Sequence, residues 1–371
     1  MNHLYKLYFV LFISIFIFSC ETKQDENNSS TTSSENNSEK PKKVKNIIFL
    51  IGDGMGLSEV STSLFYNENP SNFERFSVIG LSKTSSSSDV ITDSAAGATA
   101  LASGIKSYNG AVGVTPDTLA VETIIEQISP KGISTGVIST SAITHATPAC
   151  FYAHVKSRRM EEDIAQFLVD SEVDFFAGGG LKFFNNREDG IDLLKLLEEN
   201  NFEVQTKELP KTTSTKKQAI LLSDKGMPTM VEGREDFLPE ATQLALEYLS
   251  KNEEGFFLMV EGSQIDWGGH ANDAEYLITE LLDFDKTLGV ALDFAKQDGE
   301  TLVIVTADHE TGGFTLGSDD GDYNKIKPVF STDGHSATMV PVFAEGPGSE
   351  KFGGIYENTS IYDKIKSFFI E

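Results

Sequence analysis

The sequence predicts an α/β fold, a three-layer sandwich in which a central, mostly parallel β-sheet is flanked by helices. Three observations lead there. Short runs rich in β-branched and aromatic residues are continuous rather than alternating, as in strands covered on both faces. Longer amphipathic segments lie between them, the pattern of a parallel sheet with crossover helices. Several of the runs stop at Gly, Asp, Glu or His, the residue types found where open α/β sheets place their sites.

In chain order, Val44 to Ile51 reads as a buried strand ending at Gly52-Asp53-Gly54. Ser94 to Ala102 is alanine-rich and helical, and Leu119 to Ile128 has apolar residues at helical spacing. Gly136 to Ser139 is a shorter strand. Glu161 to Val169 is a helix, and Val173 to Ala177 a strand ending at Gly178-Gly179-Gly180. Ile191 to Glu199 and Ala241 to Leu249 read as helices. Phe256 to Val260 runs into Glu261-Gly262, then Tyr276 to Ala295 forms a long helix. Thr301 to Thr306 runs into Ala307-Asp308-His309, and Met339 to Ala344 closes the series. Residues 181–237 are more polar and read as an irregular insertion near the sheet edge. No internal repeat is visible.

The folded domain is expected over residues 45–371, because the first 44 residues differ from the rest. A weakly cationic start precedes an apolar block, Leu7 to Phe18, then Ser19-Cys20. A block of this length is short of the roughly 20 residues that span a bilayer, but it suits a signal-peptide core. Ile17-Phe18-Ser19-Cys20 resembles a bacterial lipobox, which predicts a lipoprotein-type signal peptide over 1–20 and a lipid on Cys20. An ordinary signal peptide or an uncleaved anchor is the alternative. Residues 21–44 are almost entirely Ser, Thr, Asn, Gln and charged residues with only Val44 as an aliphatic, so they read as a disordered tether. Together these features predict an exported chain, lipid-anchored at the cell envelope.

The chain of 371 residues is 39% hydrophobic, enough for a large core. With Cys20 set aside, Cys150 is alone and no disulfide forms within the mature domain. A lone Cys between Ala149 and Phe151 is usually a small buried apolar residue. The net charge of −26, from 30 basic and 56 acidic residues, excludes a nucleic-acid-binding class built on basic patches. Such a chain repels anions at long range, so anionic substrates would require cations or arginine at the site.

Of six histidines, His270, His309 and His335 sit beside carboxylates and glycines, as metal ligands do. Asp266-Trp267-Gly268-Gly269-His270 places an oxygen and an imidazole four residues apart, on one side of a helical turn. Alone, this spacing also fits a surface Asp and a core His. Asp308-His309 lies where an apolar strand stops, and Gly312-Gly313 permit the turn that lets both reach one ion. His335 follows Asp333-Gly334 and can complete a site from a distance. Asp93-Ser94 precedes an alanine-rich run: physically an ordinary N-cap, yet one whose helix dipole would favour a Ser94 alkoxide. No Ser-His-Asp triad is visible, so activation of Ser94 requires a metal.

Ile91 through Thr99 fits the full nucleophile signature of the alkaline phosphatases, and the chain resembles that family throughout 45–371. The remaining motifs follow in the family's order: Asp53 in Gly-Asp-Gly, His145-Ala146-Thr147-Pro148, Ala153 to Arg158, Glu261-Gly262, Asp266 to His270, Asp308 to Gly313 and Gly334-His335-Ser336. The resemblance implies two zinc ions and one magnesium ion. Asp266, His270 and His335 would hold the first zinc. Asp53, Asp308 and His309 would hold the second, with Ser94 as a further ligand. Asp53, Thr147 and Glu261 would hold magnesium. It further implies hydrolysis of small phosphate monoesters through a phosphoserine on Ser94, with Arg158 gripping the phosphate. Asp93 would orient Arg158 or the helix start. The family is commonly dimeric, so a homodimer is compatible with it.

Some members of the family have an acidic residue at the position of His145 and a lysine at that of Trp267. This chain resembles the His/Trp variety, in which the third ion would be held less tightly or exchanged. Rival readings within the superfamily are a phosphodiesterase, a sulfatase or a cofactor-independent phosphoglycerate mutase. A sulfatase needs a modifiable Cys or Ser in a different motif, and a diesterase usually has a Thr nucleophile and lacks the Arg. A non-catalytic metal-binding surface lipoprotein would have lost a ligand or the nucleophile, and none is missing.

Overall fold

A computed structural model describes residues 43–370. The signal segment, Cys20 and nearly all of the expected tether lie outside the described residues. The ten strands of the main sheet are β1 Asn46–Gly52, β2 Val78–Lys83, β3 Ser134–Ala142, β4 Phe175–Gly179, β5 Phe202–Gln205, β6 Lys217–Leu221, β7 Phe256–Gly262, β8 Thr301–Thr306, β13 Val340–Glu345 and β14 Gly354–Glu357. Between β8 and β13 lie two small ribbons. One pairs β9 (Glu310–Thr311) with β12 (His335–Ser336), and the other pairs β10 (Thr315–Asp319) with β11 (Asp322–Val329).

The sheet order is β14-β2-β13-β8-β1-β7-β3-β4-β6-β5. Only β13 is antiparallel to its neighbours, β2 and β8. The sheet is therefore mostly parallel, as the continuous apolar runs require. Along β1, Ile47, Phe49 and Ile51 face one core, whereas Ile48 and Leu50 face the other. Helices α2 (Ser94–Ser103), α3 (Ile124–Ile128), α5 (Glu161–Val169), α7 (Leu193–Glu199) and α11 (Thr359–Phe369) contribute to the first core. The second core is closed by α1 (Leu57–Tyr66), α8 (Phe237–Leu249) and α10 (Ala274–Asp298). Three short helices, α4 (Ala146–Ala149), α6 (Lys182–Asn185) and α9 (Gln264–His270), sit at strand ends.

Two differences from the sequence pattern have local causes. The expected helix from Leu119 to Ile128 begins only at Ile124, because Thr123 and Glu126 form a reciprocal capping box that starts the helix there. Leu119 before it is exposed, so its apolar side chain was no sign of a buried face. Strand β3 runs past Ser139 to Ala142, although Ser139, Thr140 and Ser141 are polar. All three are fully buried, and Ser139 and Ser141 bond to each other at 2.7 Å. Residues 181–237 carry α6 and α7 and the last two strands at one sheet edge, β6 and β5. Among the described residues no helix is long and apolar enough to cross a membrane.

Candidate active site

Four adjacent parallel strands, β8, β1, β7 and β3, end at the same edge and deliver the polar residues there. Asp53 follows β1, Glu261 is the penultimate residue of β7, and Asp308-His309 follow β8. The loop after β3 brings His145 and Thr147. Helix α9, directly after β7, supplies Asp266 and His270 from one face, and β12 supplies His335.

Ser94 is the first residue of α2 and is buried. Its N-cap is Asp93, whose Oδ1 accepts from the Ala96 and Gly110 N–H groups at 3.0 Å each. The other oxygen of Asp93 accepts from Arg158 Nη1 at 3.1 Å. One carboxylate thus starts the helix and holds the arginine. Ser94 Oγ lies 3.3 Å from His309 Nε2. Helix α2 can come this close because Gly97 faces Asp308: a Cβ there would be 3.0 Å from Asp308 Cβ.

The ligand-type side chains gather into three groups: Asp266, His270 and His335; Asp53, Asp308 and His309; and Asp53, His145 and Glu261. Their hydrogen bonds define the proton positions. His270 Nδ1 donates to the Asp333 carbonyl at 2.6 Å, and His335 Nδ1 to the Thr92 carbonyl at 2.8 Å. Both rings therefore turn their Nε2 atoms toward each other, 3.1 Å apart, beside Asp266 Oδ1 at 3.4 and 3.6 Å. Two imidazole nitrogens and a carboxylate oxygen facing one another form a donor set that a cation can hold together. The Thr311 hydroxyl donates to Asp266 and accepts from His309 Nδ1 at 3.2 Å. That leaves His309 Nε2 free to face Asp308 Oδ2 at 3.3 Å and Asp53 Oδ1 at 3.5 Å.

Buried polar atoms without a partner give a second test of fit. Both oxygens of Asp53, Asp308 Oδ2, Glu261 Oε1 and Thr147 Oγ1 are buried and unbonded. Leaving so many carboxylate oxygens unpaired is costly, and metal coordination removes that cost. Imidazole and carboxylate donors suit zinc at the first two groups. The oxygens of Asp53, Glu261 and Thr147 suit magnesium at the third.

The electrostatics agree. Burial, then the charges of Asp308, Asp266 and Glu261, push the Asp53 carboxyl well above its usual range. Burial lifts Glu261 to about 7, even though Ser139 and Ser263 donate to it at 2.5 and 2.6 Å. Burial also raises Asp308 and holds His309 well below the ordinary histidine range. His145 is pushed down to about 3 by burial and then by the charge of Arg158.

The sequence predicts His145 beside the third ion, and a ring nitrogen of His145 lies within 4.8 Å of Asp53 and Glu261 oxygens. Trp267 packs edge-on to it, with ring centroids 5.9 Å apart. His154 bonds Gly113 and Glu126 and is not part of the cluster. Cys150 is fully buried, and desolvation pushes its thiol up to about 12, which makes it unreactive. Sequence reasoning missed Thr311, Ser139 and Ser263. Thr311 stood within the Asp308–Gly313 motif, but nothing local marked its hydroxyl as a bridge.

A sequence model described as alkaline phosphatase matches residues 44–330. Alkaline phosphatase 3 of Bacillus subtilis is 37% identical over 328 residues, covering 83% of this chain and 70% of that one. The alkaline phosphatase of Escherichia coli is 30% identical over 405 residues, covering 88% and 86% respectively. Among solved structures, the alkaline phosphatase of the Antarctic bacterium TAB5 is 53% identical, with a TM-score of 0.87 over 89% of this chain and 99% of that one. A histidine-to-aspartate variant of the TAB5 enzyme, with magnesium bound in its M3 site, superposes with a TM-score of 0.86. From strand ends to whole-chain similarity the observations agree: the chain belongs to the alkaline phosphatase family of metal-dependent phosphomonoester hydrolases.

Proposed function

We propose that Ser94 is the nucleophile of a two-step phosphoryl transfer, served by two zinc ions and one magnesium ion. Asp266, His270 and His335 would hold one zinc, and Asp53, Asp308, His309 and Ser94 the other. Asp53, Glu261 and Thr147 would hold magnesium, with His145 in reach. The TAB5 variant with magnesium in its M3 site supports an ion of that type at the third group. When bound, the ions supply Lewis-acid charge that favours the Ser94 alkoxide and offsets charge on the departing and attacking oxygens.

The chain's own groups account for the rest. Ser94 Oγ forms a bond to phosphorus while the ester P–O bond breaks, and the alcohol leaves with a proton. Water then attacks the phosphoserine, releasing phosphate and restoring the hydroxyl. The N-terminus of α2 favours negative charge at Ser94 throughout. Arg158, held by Asp93, would grip two non-bridging phosphate oxygens with its planar fork. That grip favours monoesters, whose terminal phosphoryl offers those oxygens.

The observation that carries this reading is the Ser94 hydroxyl 3.3 Å from His309 Nε2, in a group whose Asp53 and Asp308 carboxylates hold buried, unpartnered oxygens. Ser94→Ala should abolish turnover of an aryl phosphate while zinc content is kept. Full activity in that variant would refute the nucleophile. Parallel assays on a monoester, a diester and a sulfate ester test the substrate class, and equal rates on all three would overturn it. The same proposal includes export with a lipid on Cys20, supported by the apolar block ending at Ser19-Cys20. Mass spectrometry of the mature N-terminus decides that point. A homodimer, as the family resemblance implies, is tested by light scattering.

A further inference from the structure

The β9–β12 ribbon has two faces. His335 stands opposite Thr311, and Ser336 opposite Glu310. Cross-strand partners share a face and neighbours along a strand alternate. One face therefore presents His335 and Thr311 to the metal ligands, and the other turns Ser336 and Glu310 away from them. Behind the ribbon is a cavity of about 330 Å³ lined by Ser58, Glu59, Glu310, Ser331, Ser336 and Thr338, among others.

Two carboxylates converge on this cavity. Glu59, in the first turn of α1, is fully buried, and neither of its oxygens has a hydrogen-bond partner. Glu310 is 4% exposed. Its oxygens accept from the Phe314 N–H at 3.0 Å and from the Ser336 hydroxyl. The pair meets over Gly56, where a Cβ would lie 2.6 Å from Glu310 Cγ and 2.8 Å from Glu59 Oε2. Burial, then the charge and the close carboxyl of Glu310, push Glu59 upward, while the nearby backbone of Glu59 and Gly56, short of full hydrogen-bond geometry, pulls it part of the way back. None of these oxygens belongs to the three ligand groups of the active site.

An ionised, unpartnered carboxylate beside a second one is among the least favourable arrangements a core can hold. A proton shared between them would relieve it, and so would a cation. The surroundings favour a cation. The donors are all oxygen, serine and threonine hydroxyls ring the cavity, and there is room for water to complete a shell. That combination suits a hard divalent ion. We propose that Glu59 and Glu310, with the Ser336 hydroxyl, form a further cation site of the calcium or magnesium type. An ion there would tie α1 to the back of the ribbon that carries His335, outside the reaction itself.

The test uses the full chain loaded with zinc and magnesium, its metal content fixed beforehand by mass spectrometry. Calcium is then titrated calorimetrically. The expected result is one calcium per chain beyond the zinc and magnesium, together with a rise in melting temperature. Glu59→Gln should weaken that binding by about tenfold or more, as loss of a charged ligand does. Ser336→Ala keeps both carboxylates and serves if the first variant fails to fold; several-fold weaker binding is expected. No added calcium at about 1 mM, the weak end for such sites, would overturn the proposal. So would calcium that merely replaces magnesium, or wild-type affinity in Glu59→Gln. A Glu59→Gln variant more stable than the parent at every calcium concentration would assign the pair to a shared proton instead.

Discussion

Arg158 Nη2 lies 3.0 Å from His145 Nε2, and this contact decides which nitrogen of His145 holds its proton. A guanidinium only donates, so Nε2 must present its lone pair. The ring is neutral, being pushed down to about 3, and its one proton is therefore on Nδ1. Nδ1 is buried without a partner. Holding Arg158 through Nε2 thus competes with offering a lone pair from Nδ1 to the third ion.

An aspartate at this position would accept from Arg158 and bind a cation at once. His145→Asp is expected to hold magnesium about tenfold more tightly, the scale on which groups around a site tune affinity. The check is magnesium retained after dialysis against a graded chelator. Equal retention in the two proteins would remove the competition.

Thr311 joins the two zinc-type groups. Its hydroxyl donates to Asp266 and accepts from His309, while its backbone pairs with His335. Gly269 leaves room for it, since a Cβ there would lie 2.9 Å from Thr311 Cγ2. Thr311→Val keeps the shape and removes the hydroxyl. Zinc affinity is expected to fall about 10- to 100-fold, and Thr311→Ser should restore most of it. Competition with a zinc-sensitive dye reads this out without turnover. Wild-type affinity in the valine variant would show that the hydroxyl orients nothing.

These contacts also show what the sequence could and could not convey. Asp53, Glu261, Asp308 and His309 were legible because each follows a continuous apolar run, and strand ends are where such sheets place sites. The tautomers were not legible. They depend on the Asp333 and Thr92 carbonyls and the Thr311 hydroxyl, which come close only through tertiary packing. Thr140 and Ser141 shortened the apparent β3 because their hydroxyls look exposed in sequence, whereas in the fold they are bonded in the core. The edge strands β5 and β14, and β2 beside β14, carry mixed polar and apolar residues, so no continuous apolar run announced them. Resemblance to the family supplied the ligand sets, and the geometry supplied His145 as a competitor for one of them.

Away from the site, Arg234 is bound by two buried acids, Glu280 at 2.5 Å and Asp283 at 2.8 Å. Glu280 also accepts from the Met230 N–H, so the arginine and its loop are tied to α10. The same loop contains Gly226, on which the Trp267 ring rests. Arg234→Met would strand two carboxylates in the core. The expected loss is about 3–5 kcal/mol, the usual result of removing one partner from a buried pair. Urea unfolding measures it, and a loss below about 1 kcal/mol would contradict the burial argument.

Stability of the metal-free chain should fall as pH rises through neutrality, and the sign follows from two opposed sets of groups. Carboxyls free in the unfolded chain titrate at about 4, and histidines at about 6.5. Glu261, Asp53 and Asp308 are raised in the fold, so the folded state keeps protons that the unfolded state has released. That contribution is present at low pH and is lost as pH climbs through their folded values, about 7 for Glu261. His145 and His309 are lowered and act in the opposite sense, but only below about 6.5, where an unfolded histidine takes up a proton. The two sets offset each other in mild acid. Above that, only the carboxyls still titrate, and melting temperature should decline between about pH 6.5 and 8. Zinc and magnesium supply the missing positive charge at Asp53, Asp308 and Glu261, so the decline should be much smaller in the loaded protein. Melting curves across that range, with and without chelator, test both halves. A decline of equal size in the loaded protein would mean that the buried carboxylates are not where the ions bind.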